Sequence, residues 1–314
     1  MKDLRIVFMG TPDFAVTILK HLVDHNYNIV GVITAADKPA GRGRKLNESA
    51  VKKYALSENL KVLQPNNLKD ESFLNELNSL EVDLQIVVAF RMLPKSVWQL
   101  PKFGTFNLHA SLLPEYRGAA PIHWAIINGE SKTGVTTFFI DEKIDTGEII
   151  LQEEININED ETVGTLHDKL MYLGADLVSK TVNAIAEGNI KTKKQPDLEE
   201  KQAPKLFPEN TRIDWSKSIT EIYNQIRGLN PFPAAWTEIN NNEEQLKAKL
   251  YKVRKVIEEH GFEFGKIISS KNELKVAANK GFIIIDEIKI AGKKKLDSKS
   301  LLNGFVFSEN AKML

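Results

Sequence analysis

LRIVFMGTPDFAVTILKHLVDHNYNIVGVIT, residues 4–34, decides the fold class. Leu4 to Met9 is an apolar, β-branched run that reads as a strand. After it, Pro12 and Asp13 suit the first turn of a helix, and Phe14, Ile18 and Leu22 recur at four-residue spacing on one face. Ile29 to Thr34 is a second strand. Strand, helix and strand in that order form the βαβ unit of a parallel sheet. The alternation continues outward. A polar loop rich in Gly and basic residues spans Ala35 to Asn47, a helix carries Val51, Tyr54 and Ala55, and Lys61 to Leu63 makes a short edge-like strand. Phe73, Leu77 and Leu80 mark the next helix, and the nearly continuous apolar run Leu84 to Phe90 reads as a strand buried on both faces. Thr105 to His109 is a further strand, ending in polar residues.

Val135 to Ile140 and Glu148 to Gln152 flank a turn containing Asp145, Thr146 and Gly147, which predicts a hairpin of irregular length. A long helix is expected from Thr162 to Glu187, with Gly188 placed to end it. From Asn189 to Pro208 the apolar period vanishes, so this stretch reads as a linker. Beyond it, Ile219 to Ile226 suits a short helix, and short alternating strands such as Phe282 to Ile288 are most simply closed as a small β barrel. A chain of 314 residues exceeds one ordinary core, so two domains are expected, at 1–189 and 209–314 with a linker at 190–208; a single large α/β domain is the rival.

Composition narrows the function classes. Hydrophobic residues make up 42% and charged residues 27%, as in globular proteins, and no run approaches the roughly 18 apolar residues of a spanning helix. The apolar run Ile6 to Met9 is too short for a secretion signal, which points to the cytoplasm. The absence of cysteine excludes disulfides, zinc-thiolate sites and a cysteine nucleophile. The zero net charge hides a division: residues 1–200 hold 22 Lys+Arg against 28 Asp+Glu, or −6, and residues 201–314 hold 20 against 14, or +6. A basic binding surface and a solvated Lys-rich one both fit that division.

Chemistry-bearing residues gather in few places. Asn107 and His109, two apart on a strand, share a face where the strand stops, and ligands of open parallel sheets collect beyond such ends. A solvated polar strand end is the bland alternative. SLLPEYRGAAP, residues 111–121, is a rigid loop able to hold a flat heterocycle by main-chain hydrogen bonds, with Arg117 either anchoring the loop, the safer reading, or meeting an anionic ligand. Asp145 alone reads as ordinary turn chemistry. FMGTPDF, residues 8–14, has one glycine where a dinucleotide fingerprint needs three, which tells against a nicotinamide cofactor. DKPAGRGRK, residues 37–45, is a basic loop suited to a phosphate backbone or to plain solvation. No histidine spacing suggests a metal site, and none is expected.

Taken in order, FMGTPDFA, PAGRGRK, FNLHASLLPEYRGAAPIHWAI, IDTGEI, RIDW and NPFPAAW resemble the methionyl-tRNA formyltransferase family, within the formyltetrahydrofolate-dependent transferases, over nearly the whole chain. The resemblance implies a Rossmann-like catalytic domain followed by an OB-like β barrel that binds tRNA. It implies 10-formyltetrahydrofolate as formyl donor, released as tetrahydrofolate, initiator methionyl-tRNA as acceptor, and a monomer. It makes Asn107, His109 and Asp145 the catalytic set, overturning the bland reading of Asp145. Ser111, Leu112, Leu113 and Pro114, with Phe90 and Met92, would line the folate site. Lys38, Arg42, Arg44 and Lys45 would meet the acceptor stem, with Lys205 a further tRNA contact. Two departures stand out: AFRMLP at 89–94 puts Arg91 where a small residue is usual, and KLFPEN at 205–210 lacks the family's lysine-serine-lysine pattern. Formyl transfer to an amino-sugar nucleotide, formyl hydrolysis and a catalytically silent RNA-binding module are the rival functions.

Overall fold

A computed structural model describes residues 3–40, 45–196, 201–242 and 244–314. The opening unit is β1 (Ile6–Gly10), α1 (Asp13–Asp24) and β2 (Ile29–Ile33), with β1 and β2 paired in parallel. Where the sequence reads as a loop, β3 (Lys38–Ala40) and β4 (Lys45–Asn47) instead form a two-stranded antiparallel ribbon. Pro39 lies opposite Leu46 and is tolerated because both strands of such a ribbon are edges. Next come α2 (Ala50–Ser57), capped by the Ser49 hydroxyl accepting from Lys52 N at 3.0 Å, then β5 (Val62–Leu63) and α3 (Glu71–Ser79). β6 (Leu84–Val88) is buried along its whole length, as expected of an apolar run interrupted only by Gln85. After α4 (Lys95–Trp98), β7 (Thr105–His109) completes the parallel strands.

Following β8 (Arg117–Gly118) and α5 (Pro121–Ile127), β9 (Lys132–Phe139) runs antiparallel to β7, with β10 (Ile149–Asn156) outside it. The sheet order is β10-β9-β7-β6-β1-β2-β5. The chain thus winds outward in both directions from β1, the doubly wound arrangement that opens a crevice at the strand ends. α6 (Val163–Ala186) stops at Gly188, whose φ of +70° turns the chain away. Where α6 crosses β7 the backbones are close: a Cβ on Gly174 would stand 2.7 Å from Leu108 Cδ2.

The remaining elements are β11 (Gln202–Ala203), α7 (Pro208–Thr211), α8 (Ile219–Leu229), β12 (Ala235–Asn241), β13 (Glu244–Ile257), β14 (Ile267–Ser269), β15 (Leu274–Ala278), β16 (Gly281–Ile290), β17 (Leu296–Asp297), α9 (Ser298–Leu302) and β18 (Lys312–Met313). Strands in the order β14-β15-β16-β13-β12-β18 curl into a nearly closed antiparallel barrel. Its two ends meet where Met313 N donates to Gly265 O at 2.8 Å and Ile267 N donates to Ala311 O at 3.0 Å. Gly265 has φ +85°, and any Cβ there would fall 2.1 Å from Met313 O, so closure depends on glycine. Ile222, Ile226, Leu250, Val276, Ile283 and Ile285 fill the barrel core.

Two compact units result: residues 1–118, 133–155 and 167–202, and residues 119–132, 156–166 and 203–314. Among the described residues no helix is long and apolar enough to cross a membrane.

Candidate active site

β7 carries Asn107 and His109 to its carboxyl end, in register with Phe138 and Thr136 of β9. His109 Nε2 lies 2.9 Å from the Tyr116 carbonyl oxygen. A carbonyl can only accept, so Nε2 carries a hydrogen and Nδ1 is the nitrogen at which the ring can gain or lose a proton. Nδ1 faces Asp145 Oδ2 at 3.8 Å, with the two side chains only 7% and 13% exposed. That gap exceeds a direct hydrogen bond, so the contact is electrostatic. Asn107 Oδ1 is buried without a hydrogen-bond partner. Amide, imidazole and carboxylate thus come from one strand and one distant turn of the same unit.

The Asp145 turn is held in an unfavourable shape. Asp145 has φ +55°, a left-handed conformation costing a non-glycine residue about 1–2 kcal/mol. Its carboxylate Oδ2 accepts from Gly118 N at 2.9 Å, and Asp141 Oδ1 accepts from Lys143 N at 3.0 Å and Thr146 Oγ1 at 2.8 Å. Gly147 lies against the β9 backbone: a Cβ there would sit 1.6 Å from Phe139 O. Gln195, which the sequence places in a linker, donates from Nε2 to Asp145 O at 2.9 Å and Gly147 O at 2.8 Å. Arg117 anchors in turn on Gln195 Oε1, through Nε at 3.1 Å and Nη2 at 2.8 Å. No local pattern announces Gln195, because its partners are remote in sequence.

Residues 111–114 form a strap fixed from below. Thr136 Oγ1 donates to Ser111 O at 2.6 Å and accepts from Leu113 N at 3.1 Å and Gln152 Nε2 at 2.9 Å. Gln152 Nε2 also donates to Leu113 O at 2.9 Å. Ser111 Oγ donates to Glu115 O at 2.6 Å, and the Leu113–Pro114 peptide is cis. The strap is as rigid as its prolines suggest, and Ser111 O, Leu113 N and Leu113 O serve to hold the strap itself.

The 89–94 segment leaves β6 through Ala89 at φ +48°. Phe90 is partly buried, whereas Met92 is 71% exposed. Arg91, the unusual residue, turns away to donate to Asn66 O at 2.9 Å and to Pro65 O, with its guanidinium 5.7 Å from the Phe90 ring centre. A cleft of about 790 Å³ lies between residues 66–69 and 91–96, bordered by Asn66, Lys69, Arg91, Met92 and Lys95, and its lining includes none of Asn107, His109, Asp145 or residues 111–114.

Of the basic loop, Lys38 is exposed on β3, Lys45 begins β4, and Arg42 and Arg44 lie outside the described residues. The root of the ribbon is clamped: Asp37 pairs with Lys52 and accepts from Gln64 Nε2 at 2.8 Å. The Lys52 hydrogen bond, followed by that of Gln64, holds the Asp37 carboxyl below its ordinary value. Lys205 is exposed, its ammonium 5.6 Å from the Phe207 ring centre.

Known proteins share this architecture. Residues 4–182 match the formyl transferase family model, and residues 205–306 match that of the formyl transferase C-terminal domain. A methionyl-tRNA formyltransferase of Flavobacterium johnsoniae is 58% identical over 314 residues, covering 100% of both chains. One of Bacteroides thetaiotaomicron is 51% identical over 99% of each. Among solved structures, an N-formyltransferase from Helicobacter canadensis in complex with folinic acid and dTDP-3-aminofucose gives a TM-score of 0.68 at 24% identity, over 90% of this chain and 98% of that one. HypX from Aquifex aeolicus in complex with tetrahydrofolic acid gives 0.65 at 18% identity, over 95% and 47%.

Proposed function

The chain belongs to the methionyl-tRNA formyltransferase family, and on that premise we propose that it transfers the formyl group of 10-formyltetrahydrofolate to the α-amino group of methionyl initiator tRNA. The observation that carries this reading is 58% identity along the entire chain, through both matched segments. Formyl transfer is assigned to residues 1–189, the connection to 190–208 and tRNA binding to 209–314, in a cytoplasmic monomer.

Attack of the amine on the formyl carbon creates a tetrahedral species whose oxygen becomes negative, and donors aimed at that oxygen lower the barrier. Its collapse breaks the bond from the formyl carbon to the folate nitrogen, which takes up the proton the amine gives up and leaves as tetrahydrofolate. Asn107 supplies its Nδ2 amide donor to the tetrahedral oxygen, while its buried Oδ1, without a protein partner, is left to accept from the N–H of the attacking amine. His109 is held by Nε2 on Tyr116 O and uses Nδ1 for proton transfer. Asp145, 3.8 Å from that nitrogen, steadies the charge that proton transfer places on the ring. No covalent enzyme intermediate is needed, since a neutral amine is itself a good nucleophile. Ser111 to Pro114, Phe90 and Met92 are assigned to the folate, and Lys38, Arg42, Arg44, Lys45 and Lys205 to the tRNA.

The test combines purified protein, 10-formyltetrahydrofolate and one acceptor at a time: methionyl initiator tRNA, methionyl elongator tRNA or a dTDP-linked amino sugar. Formylmethionine formed on the initiator tRNA is expected. Formylation of the sugar alone, or folate hydrolysis without transfer, overturns the reading.

A further inference from the structure

We infer that Gln195 is a positioning residue for formyl transfer, holding the Asp145 turn so that its carboxylate faces His109. This rests on the roles given to Asp145 and His109 above.

Gln195 Oε1 accepts two hydrogen bonds from the Arg117 guanidinium, at 3.1 and 2.8 Å. A guanidinium only donates, so the amide nitrogen must point the other way. There it meets two carbonyls, Asp145 O at 2.9 Å and Gly147 O at 2.8 Å, which flank Thr146 in the turn. A flipped amide would set oxygen against both carbonyls and N–H against the guanidinium. Both ends of Gln195 are therefore specified.

The backbone that presents it is also fixed. Lys193 and Ile149 exchange both main-chain hydrogen bonds at 2.9 Å, laying residues 193–196 beside the start of β10. Next to Arg117, Gly118 N donates to Asp145 Oδ2 at 2.9 Å. The Arg117–Gly118 pair therefore grips Asp145 twice, at the carboxylate directly and at the main chain through Gln195. Asp145 needs such bracing because φ +55° is disfavoured for its side chain. Without the Gln195 donor the turn relaxes toward ordinary φ, and the carboxylate leaves Gly118 N and His109.

Three variants test this: Gln195→Glu, which keeps the acceptor for Arg117 but removes the donor to the turn, Gln195→Leu, which removes both, and Arg117→Lys, which loses the fork. Displacing a reacting constellation by about 1 Å can cost up to ~100-fold, so kcat is expected to fall about ten- to a hundredfold in both Gln195 variants. A smaller loss is expected in Arg117→Lys. KM for the folate and for methionyl-tRNA should stay within about threefold, because the Gln195 amide is taken up by Arg117 and by the main chain of the Asp145 turn. A merely structural role would not select one amide. If Gln195 holds the carboxylate, the Gly118 N–H loses its acceptor in Gln195→Glu and exchanges with solvent at least ~10-fold faster, while the amides of β1 and β6 keep their protection.

Unchanged kcat and unchanged Gly118 exchange in Gln195→Glu overturn the inference. Should the Gln195 variants not fold, an Arg117→Lys protein with native kcat overturns it equally. Wild-type protein in the same assay separates the two levels. Its failure to formylate methionyl-tRNA defeats the proposed function, whereas active wild type beside an equally active Gln195→Glu defeats this inference alone.

Discussion

Asn107 leaves a buried amide oxygen without a partner, an arrangement that costs a folded protein about 1–3 kcal/mol. A near-isosteric Asn107→Leu should therefore melt no lower than wild type while turnover falls ~10²- to 10³-fold, the loss typical of one oxyanion donor. Thermal unfolding and single-turnover formylation check both halves, and retained turnover removes Asn107 from the mechanism. At Asp145, strain and charge can be separated. Asparagine tolerates left-handed φ and can still accept from Gly118 N, so Asp145→Asn should keep stability and substrate affinity yet lose at least ~10²-fold in kcat. Equal kcat in that variant would show that shape alone matters there. The pairing of Asn107 and His109 was legible in the sequence because a two-residue period forces both side chains to one face. Asp145 entered only through the family resemblance, since a turn selects aspartate for purely local reasons and its spacing carries no signal. Gln195 carries no periodic or turn signature; only tertiary contact reveals it.

At the scale of elements, the loop after β7 owes its shape to β9 and β10. One hydroxyl, Thr136 Oγ1, serves Ser111 O, Leu113 N and Gln152 Nε2 together, within a buried site. Thr136→Val preserves shape but takes the hydroxyl from Ser111 O and Leu113 N, each at about 1–3 kcal/mol, while Gln152 Nε2 keeps Leu113 O, so a lower melting temperature is expected. If residues 111–114 line the folate site, KM for the donor should rise several-fold with kcat for saturated enzyme less affected; a stability loss with native KM would detach the strap from donor binding. The strands and helices of the first half were legible because apolar period and glycine placement agree with one another over β1, α1, β2, β6 and α6. The pairing of β3 with β4 was missed because two three-residue strands, one of them holding Pro39, leave no period to detect. At the α8 N-terminus Ser218 and Glu221 form a capping box, with Ser218 N donating to Glu221 Oε2 at 3.1 Å. Hydrogen bonds from the Ser218 hydroxyl and then its backbone hold the Glu221 carboxyl below 4.5. Because the folded-state value is depressed, this cap contributes fully above pH ~4.5 and is lost as pH falls through the lower folded value.

For the whole molecule, the sequence made two domains plausible but not the way the second unit collects residues 119–132 and 156–166 from the first half. Those segments have ordinary helix and turn patterns, and nothing in a local pattern states which core they join. Each unit contains a tyrosine displaced upward, Tyr54 in one and Tyr223 in the other, and the two give opposite tests of how each core treats a phenol. Burial raises Tyr54 to about 12, and its hydroxyl is buried without a partner. Burial also raises Tyr223 to about 12, but there the hydroxyl donates to Asp160 Oδ1 at 2.6 Å. In both cases the neutral phenol is the form the fold prefers. Stability is thus complete below the ordinary value of 10.0 and declines as pH rises from there through about 12, where the unfolded chain has lost protons the native state keeps. Phenylalanine substitutions should then diverge at neutral pH. Tyr54→Phe removes an unsatisfied buried group and should be neutral or stabilising, whereas Tyr223→Phe deprives Asp160 of a donor and should cost about 1–3 kcal/mol. Each should also delete one late-ionising phenol from an absorbance titration and move the onset of alkaline unfolding upward, because the proton linkage it removes favours the unfolded state there. Paired melts at pH 7 and pH 11 decide the matter: equal destabilisation by both substitutions would mean that the Tyr54 hydroxyl has found a partner, and an unchanged alkaline onset would mean that neither phenol governs it.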